Sequence, residues 1–173
     1  PSDPTVAAPT LMSLLHHTCV VPLNAADERT TLLQRMRDAH VRCVFGTDEA
    51  QVRSFALELD IAAFAVDGAV AFRALDAAPR PWMSCEPPRA STDDDVVVVL
   101  HTSGTTSAAK RVPFTLGRLR ASGRALADSL GLTPADTCLA AMPLHHVGGI
   151  ACHLFAPLAA GCAVVHVPFD ART

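Results

Sequence analysis

Apolar residues occur along this chain in two alternating arrangements, short continuous runs and longer stretches with helical spacing. The runs predict β-strands, whereas apolar residues three and four positions apart predict amphipathic helices. The predicted strands are residues 19–21, 41–45, 61–66, 96–100, 138–142 and 163–167. The predicted helices are a segment that ends near residue 17 and the segments 27–39, 47–60, 115–130 and 147–159. Strands that alternate with helices predict an α/β fold with doubly wound, mostly parallel sheets.

A proline-rich stretch interrupts this alternation near the middle of the chain. Its prolines are Pro79, Pro81, Pro87 and Pro88. Proline removes a backbone donor and restricts the residue before it, so neither a helix nor a central strand is expected here. We therefore predict a first α/β subdomain over residues 1–75, a proline-rich linker over 76–95 and a second α/β subdomain over 96–173.

The composition excludes several classes of protein. The chain has 173 residues, half of them hydrophobic, and a net charge of −3, which argues against a general nucleic-acid binder. No apolar run approaches the roughly 18 residues that a membrane-spanning helix needs. The six cysteines include no C-x-x-C pair and mostly lie in apolar stretches, which predicts reduced, buried thiols. Reduced thiols favour a cytoplasmic protein, with the peroxisome as an alternative.

The segment after the predicted strand 96–100 combines hydroxyl side chains, a glycine and a lysine. Its hydroxyl residues around Gly104 are Thr102, Ser103, Thr105 and Thr106. Hydroxyl groups and backbone N–H groups supply the short donors that phosphate oxygens need, and a glycine lets the backbone approach a ligand closely. Lys110 ends the segment and is the only lysine among 14 basic residues. The pattern predicts a phosphate-binding loop, and the alternative is an ordinary Ser/Thr-rich turn.

Residues 102–112, with the sequence TSGTTSAAKRV, resemble the phosphate-loop signature T-S-G-[ST]-T-G-x-P-K-G of the adenylate-forming superfamily. That superfamily includes acyl-CoA synthetases, the adenylation domains of peptide synthetases and luciferases. The positions at which the chain departs from the signature are Ser107, Ala109 and Arg111. Three further segments, 21–24, 142–149 and 161–169, are similar to family motifs in the same order. The stretch LHTSGTTS is similar to the oxalyl-CoA synthetase branch in particular.

The resemblance implies part of the large N-terminal domain of an adenylate-forming enzyme. Such an enzyme joins a small-molecule carboxylate to ATP, releases pyrophosphate and passes the acyl group to the thiol of coenzyme A or a carrier pantetheine. The residues that would bind the phosphates of ATP are Thr102, Ser103, Gly104, Thr105, Thr106 and Lys110. Thr106 would also reach Mg²⁺. Lys110 and His146 would serve catalysis, Lys110 at the β- and γ-phosphates and His146 in the carboxylate pocket.

The resemblance also implies a longer protein, because the family's later motifs do not occur before Thr173. We expect an internal fragment of a ligase that is inactive alone and that exposes apolar sheet edges through which it could associate. A non-catalytic or degenerate nucleotide-binding module is the alternative, favoured by the departures in the loop.

Two other interpretations concern the second half of the chain. Its closely spaced histidines and cysteines are His145, His146, Cys152, His153, Cys162 and His166. A zinc site is one interpretation of this group, but the spacing is poor and packed histidines are the preferred one. A dinucleotide-binding oxidoreductase is not expected, because no G-x-G-x-x-G sequence follows a strand.

Overall fold

The computed structural model describes residues 3–75, 89–102 and 109–167. The chain forms two compact units. The first comprises Pro1–Thr10 and Leu23–Arg89, and the second comprises Leu11–Pro22 and Ala90–Thr173. Most of the predicted linker 76–95 lies outside the described residues, so the division into 1–75, 76–95 and 96–173 stays a prediction.

The elements follow the predicted alternation of helices and strands closely. The helices are α1 (Pro4–Leu15), α2 (Arg29–Asp38), α3 (Glu49–Leu59), α4 (Leu116–Leu130), α5 (Val147–Ile150) and α6 (Ala156–Ala160), with a π-helical turn over Ala151–Phe155 between the last two. The strands are β1 (Cys43–Gly46), β2 (Ala62–Val66), β3 (Phe72–Ala74), β4 (Val96–His101), β5 (Arg111–Thr115), β6 (Thr137–Ala140) and β7 (Ala163–His166). The predicted strand 19–21 is reduced to a single bridge at Val20. Within the described ranges, no helix has both the length and the apolar character to cross a membrane.

In the first unit, strands β1, β2 and β3 form a sheet in that order. β1 and β2 are parallel, and β2 and β3 are antiparallel. Asp48 caps the start of α3, and its carboxylate accepts a hydrogen bond from the Gln51 N–H at 3.0 Å. Asp60 caps the end of the helix in the left-handed region, with φ 53°. The residues of the core beneath this helix are Val52, Ala56, Ile61, Ala63, Ala65 and Leu75.

In the second unit, the valine run forms β4, the most buried of its strands. Val97 and Val98 are 1% and 0% exposed. β4 pairs with β5 in antiparallel orientation along one edge. Along the other edge the Val20 N–H donates to the Val97 carbonyl at 2.8 Å, and the Val99 N–H donates to the Val20 carbonyl at 3.0 Å. β6 and β7 form a separate parallel pair.

The α/β class is confirmed, but the described sheets are small and mixed rather than clearly doubly wound. Each has two or three strands, and antiparallel pairs are as frequent as parallel ones. Strands β3 and β5 were not expected, because their sequences FRA and RVPFT contain no continuous apolar run. Pro113 lies within β5, which pairs on one side only, as an edge strand allows. The predicted strand–loop–helix is therefore a strand–loop–strand–helix.

The prediction of buried thiols is wrong for the described cysteines. They are free thiols, of which Cys19 is exposed and Cys43, Cys138, Cys152 and Cys162 are partly exposed. Cys138 lies on β6, on the face opposite to the exposed Leu139 and Val165, and Cys162 lies directly before β7, and both thiols nevertheless remain partly exposed. An apolar sequence context therefore does not produce burial at these positions. Cys85 lies outside the described residues.

Helix α4 approaches the π-helical turn so closely that one position admits only glycine. A Cβ atom at Gly123 would lie 2.6 Å from the carbonyl oxygen and 2.8 Å from the Cβ of Phe155. We expect Gly123→Ala to lower the free energy of unfolding by roughly 1–3 kcal/mol through overpacking, although alanine is the better helix former. Chemical denaturation would measure the change, with Ser122→Ala on the exposed neighbouring position as the control. A Gly123→Ala protein at least as stable as the wild type would contradict this packing.

Candidate functional site

The predicted phosphate loop connects the two strands of a hairpin. The last register pairs before the loop are Leu100 with Val112 and His101 with Arg111. Beyond them the Thr102 N–H donates to the Lys110 carbonyl at 2.9 Å, and the Lys110 N–H donates to the Thr102 hydroxyl oxygen at 3.0 Å. These two hydrogen bonds close the neck of the loop and continue the hairpin by one pair. They bring two of the predicted site residues together.

Both residues at the neck are exposed, so the Lys110 ammonium group is available to a ligand at the mouth of the loop. The other predicted phosphate-binding residues are Ser103, Gly104, Thr105 and Thr106, and they lie outside the described residues. Their predicted contacts with phosphate and with Mg²⁺ stay predictions. The structure adds the geometry of the two ends of this loop, Thr102 and Lys110.

Hydrogen bonds also hold the base of the hairpin, at the start of β4 and the end of β5. The Leu116 N–H donates to the Asp95 carbonyl at 3.0 Å, and the Gly117 N–H donates to the Asp93 carbonyl at 2.9 Å. The Arg120 guanidinium also donates to the Asp93 carboxylate at 2.7 Å. The start of β4 is thereby joined to the first turn of α4. The loop is consequently carried by a buried strand on one side and by a strand that runs directly into a helix on the other.

The predicted carboxylate-pocket residue His146 lies in a tight turn after β6. The His146 N–H donates to the Pro143 carbonyl at 3.1 Å. A Cβ atom at Gly149 would lie 2.2 Å from that same carbonyl oxygen, and one at Gly148 would lie 2.5 Å from the sulfur of Met142. Gly149 therefore lets the start of α5 fold back onto the backbone of residues 142–143, whereas the atom near Gly148 belongs to a flexible methionine side chain. His146 is exposed at the N-terminal end of α5, and its ring centroid is 4.5 Å from that of His145.

One residue of this region makes a contact that its sequence pattern did not predict. His153 lies in the π-helical turn, and its Nδ1 atom accepts a hydrogen bond from the Met142 N–H at 3.1 Å. Burial, and to a smaller extent the charge of His166, lowers the pKa of His153. Its neutral form is therefore favoured, as an acceptor at Nδ1 requires. The sequence carries no signal for this contact, because π-helical turns have no spacing of their own in a short apolar stretch.

The remaining histidines and cysteines do not converge on a metal. Within residues 3–75, 89–102 and 109–167, no three His, Cys, Asp or Glu side chains are grouped so as to hold an ion. The sulfur atoms of Cys138 and Cys162 are 3.6 Å apart. Burial, together with the neighbouring Cys162 thiol, raises the pKa of Cys138, which keeps this sulfur protonated.

Comparison with known proteins identifies the family. Residues 14–173 match the AMP-binding enzymes, and the chain therefore belongs to this adenylate-forming family. The resemblance found in the loop is thus confirmed over nearly the whole chain.

The curated relatives are CoA ligases. Oxalate–CoA ligase of Arabidopsis thaliana is 42% identical over 71 residues, which are 41% of this chain and 14% of the ligase. Sulfoacetate–CoA ligase of Cupriavidus necator is 30% identical over 152 residues, which are 84% of this chain and 29% of the ligase. The chain thus spans less than a third of the length of these relatives.

Solved structures show the same relationship. The ternary product complex of a malonyl-CoA ligase with methylmalonyl-CoA and AMP superposes with a TM-score of 0.74 at 25% identity, covering 98% of this chain and 34% of the ligase. The o-succinylbenzoate coenzyme A synthetase of Bacillus subtilis with ATP and magnesium gives a TM-score of 0.69 at 25% identity, covering 88% and 30%. The chain therefore corresponds to part of the N-terminal domain of such ligases.

The closure of the loop neck can be tested at Thr102. We expect Thr102→Val, which keeps the shape but removes the hydroxyl acceptor, to lower the free energy of unfolding by about 0.5–1 kcal/mol. The Lys110 amide should then exchange its hydrogen faster, whereas the Thr102 amide keeps its carbonyl acceptor and its protection. Thr102→Ser retains a hydroxyl group and serves as the control. Unchanged exchange at Lys110 in Thr102→Val would contradict the described neck.

A pH dependence of stability is expected from His153. Its pKa is lowered in the folded chain, whereas in the unfolded chain it returns to about 6.5, so the unfolded state takes up the proton first. The contribution to stability is complete above about pH 6.5 and is lost as the pH falls through the lowered pKa. Chemical denaturation between about pH 7.5 and pH 5 should therefore show a larger loss for the wild type than for His153→Asn. Equal losses would contradict the assignment.

Proposed function

We propose that the protein is, in its full length, an AMP-forming acid–thiol ligase. A carboxylate oxygen of the substrate attacks the α-phosphorus of ATP, and pyrophosphate leaves with the electron pair of the broken P–O bond. The sulfur of coenzyme A, or of a carrier pantetheine, then attacks the acyl carbon, and AMP leaves. Membership of the AMP-binding family and the CoA ligases among the relatives support this reaction.

The observation that carries the proposal for this chain is the closed neck between Thr102 and Lys110. Charge neutralisation and positioning supply most of the rate in reactions at phosphorus, so an enzyme must hold its cation where the phosphates lie. The neck fixes the backbone of Lys110 at the mouth of a loop rich in hydroxyl groups. The compact ammonium group then meets the β- and γ-phosphates, a role for which a planar guanidinium is less suited.

The remaining loop residues have the donor chemistry that ATP and Mg²⁺ require. We assign the phosphate oxygens to the backbone around Gly104 and to the hydroxyl groups of Thr102, Ser103, Thr105 and Thr106. Mg²⁺ prefers oxygen ligands and leaves several positions to water and phosphate, so a single threonine hydroxyl, that of Thr106, fits it. The ion would supply positive charge at the phosphates.

We assign the acyl substrate to the turn that carries His146. An exposed imidazole at the start of α5 offers a donor to a carboxylate, and it lies in the same unit as the hairpin. The acids named for the relatives include oxalate, malonate and sulfoacetate, which are short and carry a second acidic group. A short acid of this kind, oxalate first, is therefore the substrate class that we propose.

The exposed face of the sheet of β6 and β7 is evidence for a larger fold in the full-length protein. Leu139 and Val165 are 62% and 49% exposed on one of its faces. Parallel strands are normally covered on both faces, so we propose that other parts of the ligase cover this face and extend the small sheets into doubly wound, mostly parallel ones. The 173-residue chain alone would then be inactive, and it could associate through these uncovered apolar residues. We place the ligase in the cytoplasm, with the peroxisome as the alternative.

A nucleotide-binding module without catalysis is the second candidate. It is favoured by Ser107, Ala109 and Arg111, which replace glycine, proline and glycine of the family signature. The two candidates differ in one measurable property, because only the ligase releases pyrophosphate when acid and thiol are supplied.

Pyrophosphate release by the full-length protein tests the proposal at Lys110. A charge-assisted contact of this kind contributes roughly 1.5–3 kcal/mol, so Lys110→Ala should lower kcat/KM for ATP by about 10- to 150-fold. Lys110→Arg should restore only part of the activity, because a guanidinium fork replaces a point charge poorly. Neither change should alter the fold, since the side chain is exposed.

The matched control is Arg124→Ala, which removes an exposed positive charge from α4. It should leave the kinetics of ATP unchanged. Full activity of Lys110→Ala with an unchanged KM for ATP would rule out the loop as the phosphate site. ATP binding without acid-dependent pyrophosphate release in the wild type would favour the binding module instead.

A further inference from the structure

The backbone N–H of Met142, the first donor of the segment from Met142 to His146, does not pair with a strand. The ladder between β6 and β7 ends at Ala140, which is paired with His166, and the Val167 N–H donates to the Ala140 carbonyl at 3.0 Å. The chain then leaves the sheet. The next described acceptor is a side chain, the Nδ1 atom of His153, which receives the Met142 N–H at 3.1 Å.

The rest of the segment is held by its own backbone. The turn between Pro143 and His146 is closed by a hydrogen bond of 3.1 Å, and Gly149 lies directly against the Pro143 carbonyl. The turn is therefore held by contacts within its own backbone, and its orientation depends on how its ends are attached. One end continues into α5, and the other continues from β6, where the contact between Met142 and His153 holds it in addition.

His153 reaches this donor from the π-helical turn. Its buried residues are Ala151, Leu154 and Phe155, which pack inward, and Phe155 meets Gly123 of α4. A π-helical turn is wider than an α-helical turn and redirects the side chains that it carries. His153 remains partly exposed on the other side of the turn, where it meets Met142.

We propose that His153 is a positioning residue, which fixes the turn 142–146 through the Met142 N–H and thereby directs His146 towards the carboxylate substrate. Only the second part of this inference, the direction of His146 towards the substrate, rests on the proposed function. The hydrogen bond requires an unprotonated Nδ1 and hence a neutral ring with its proton on Nε2. A leucine of similar size cannot accept the bond, whereas asparagine places its Oδ1 atom close to the position of Nδ1.

The test compares His153→Leu and His153→Asn in the full-length protein, with Cys152→Ala as the control on the neighbouring position. His153→Leu should raise the KM for the acid about 3- to 10-fold, the loss expected for one neutral hydrogen bond, and leave the KM for ATP unchanged. His153→Asn should stay within about threefold of the wild type, because it keeps the acceptor. The control should equal the wild type.

Amide hydrogen exchange at Met142 gives a second measurement that does not depend on activity. Exchange should become faster in His153→Leu and stay slow in His153→Asn. Unchanged exchange in His153→Leu would overturn the hydrogen bond, and faster exchange with an unchanged KM for the acid would overturn the positioning role. A wild type without acid-dependent pyrophosphate release would overturn the proposed function, and with it the role at the substrate, whereas the exchange result would still decide the contact itself.

Discussion

The hydrogen bonds that β4 makes along both edges are the constraint on which the second unit depends. Val97 and Val98 of this strand are removed from water, so the backbone groups beside them must be paired, because an unpaired buried N–H or carbonyl group costs about 1–3 kcal/mol. Val20 pairs with the Val97 carbonyl and the Val99 N–H on one edge, and β5 pairs along the other. This pairing fixes where the chain leaves the sheet after His101 and where it returns at Arg111. The positions of both ends of the predicted phosphate loop are therefore set by the pairing of β4.

The two segments with candidate site residues are fixed by different physical means. The hairpin loop is closed by reciprocal hydrogen bonds between Thr102 and Lys110, so a single hydroxyl group supplements the sheet ladder. The turn before α5 is closed by a backbone hydrogen bond and by a close approach at Gly149, where a Cβ atom would collide with the Pro143 carbonyl. At Met142 the backbone N–H donates to the His153 imidazole instead of to a neighbouring strand. In both segments, an ordered backbone presents an exposed cationic or imidazole side chain.

The sheet of β6 and β7 in the second unit has one apolar face that is exposed. The apolar side chains on one face of β6 and β7 remain open to solvent, while the opposite side packs toward the helical segment 147–160. The chain corresponds to about a third of the length of the malonyl-CoA ligase that it superposes on. These two facts agree, because a parallel sheet reaches its usual burial only when further layers cover it.

The alternation of elements, the phosphate-loop signature and the family were all predicted correctly from the amino-acid sequence. These depend on local information: β4 is a run of valines, α4 begins at a capping threonine and ends at Gly131 in the left-handed region, and the signature is contiguous. The sequence did not reveal β3 or β5, because FRA and RVPFT become strands only when a neighbour offers its edge. It misjudged the thiols, because burial depends on what covers a strand and not on the residues beside it. Only the tertiary structure brought Lys110 back to Thr102 and His153 to Met142, since a hydrogen bond between distant residues leaves no period or spacing in the chain.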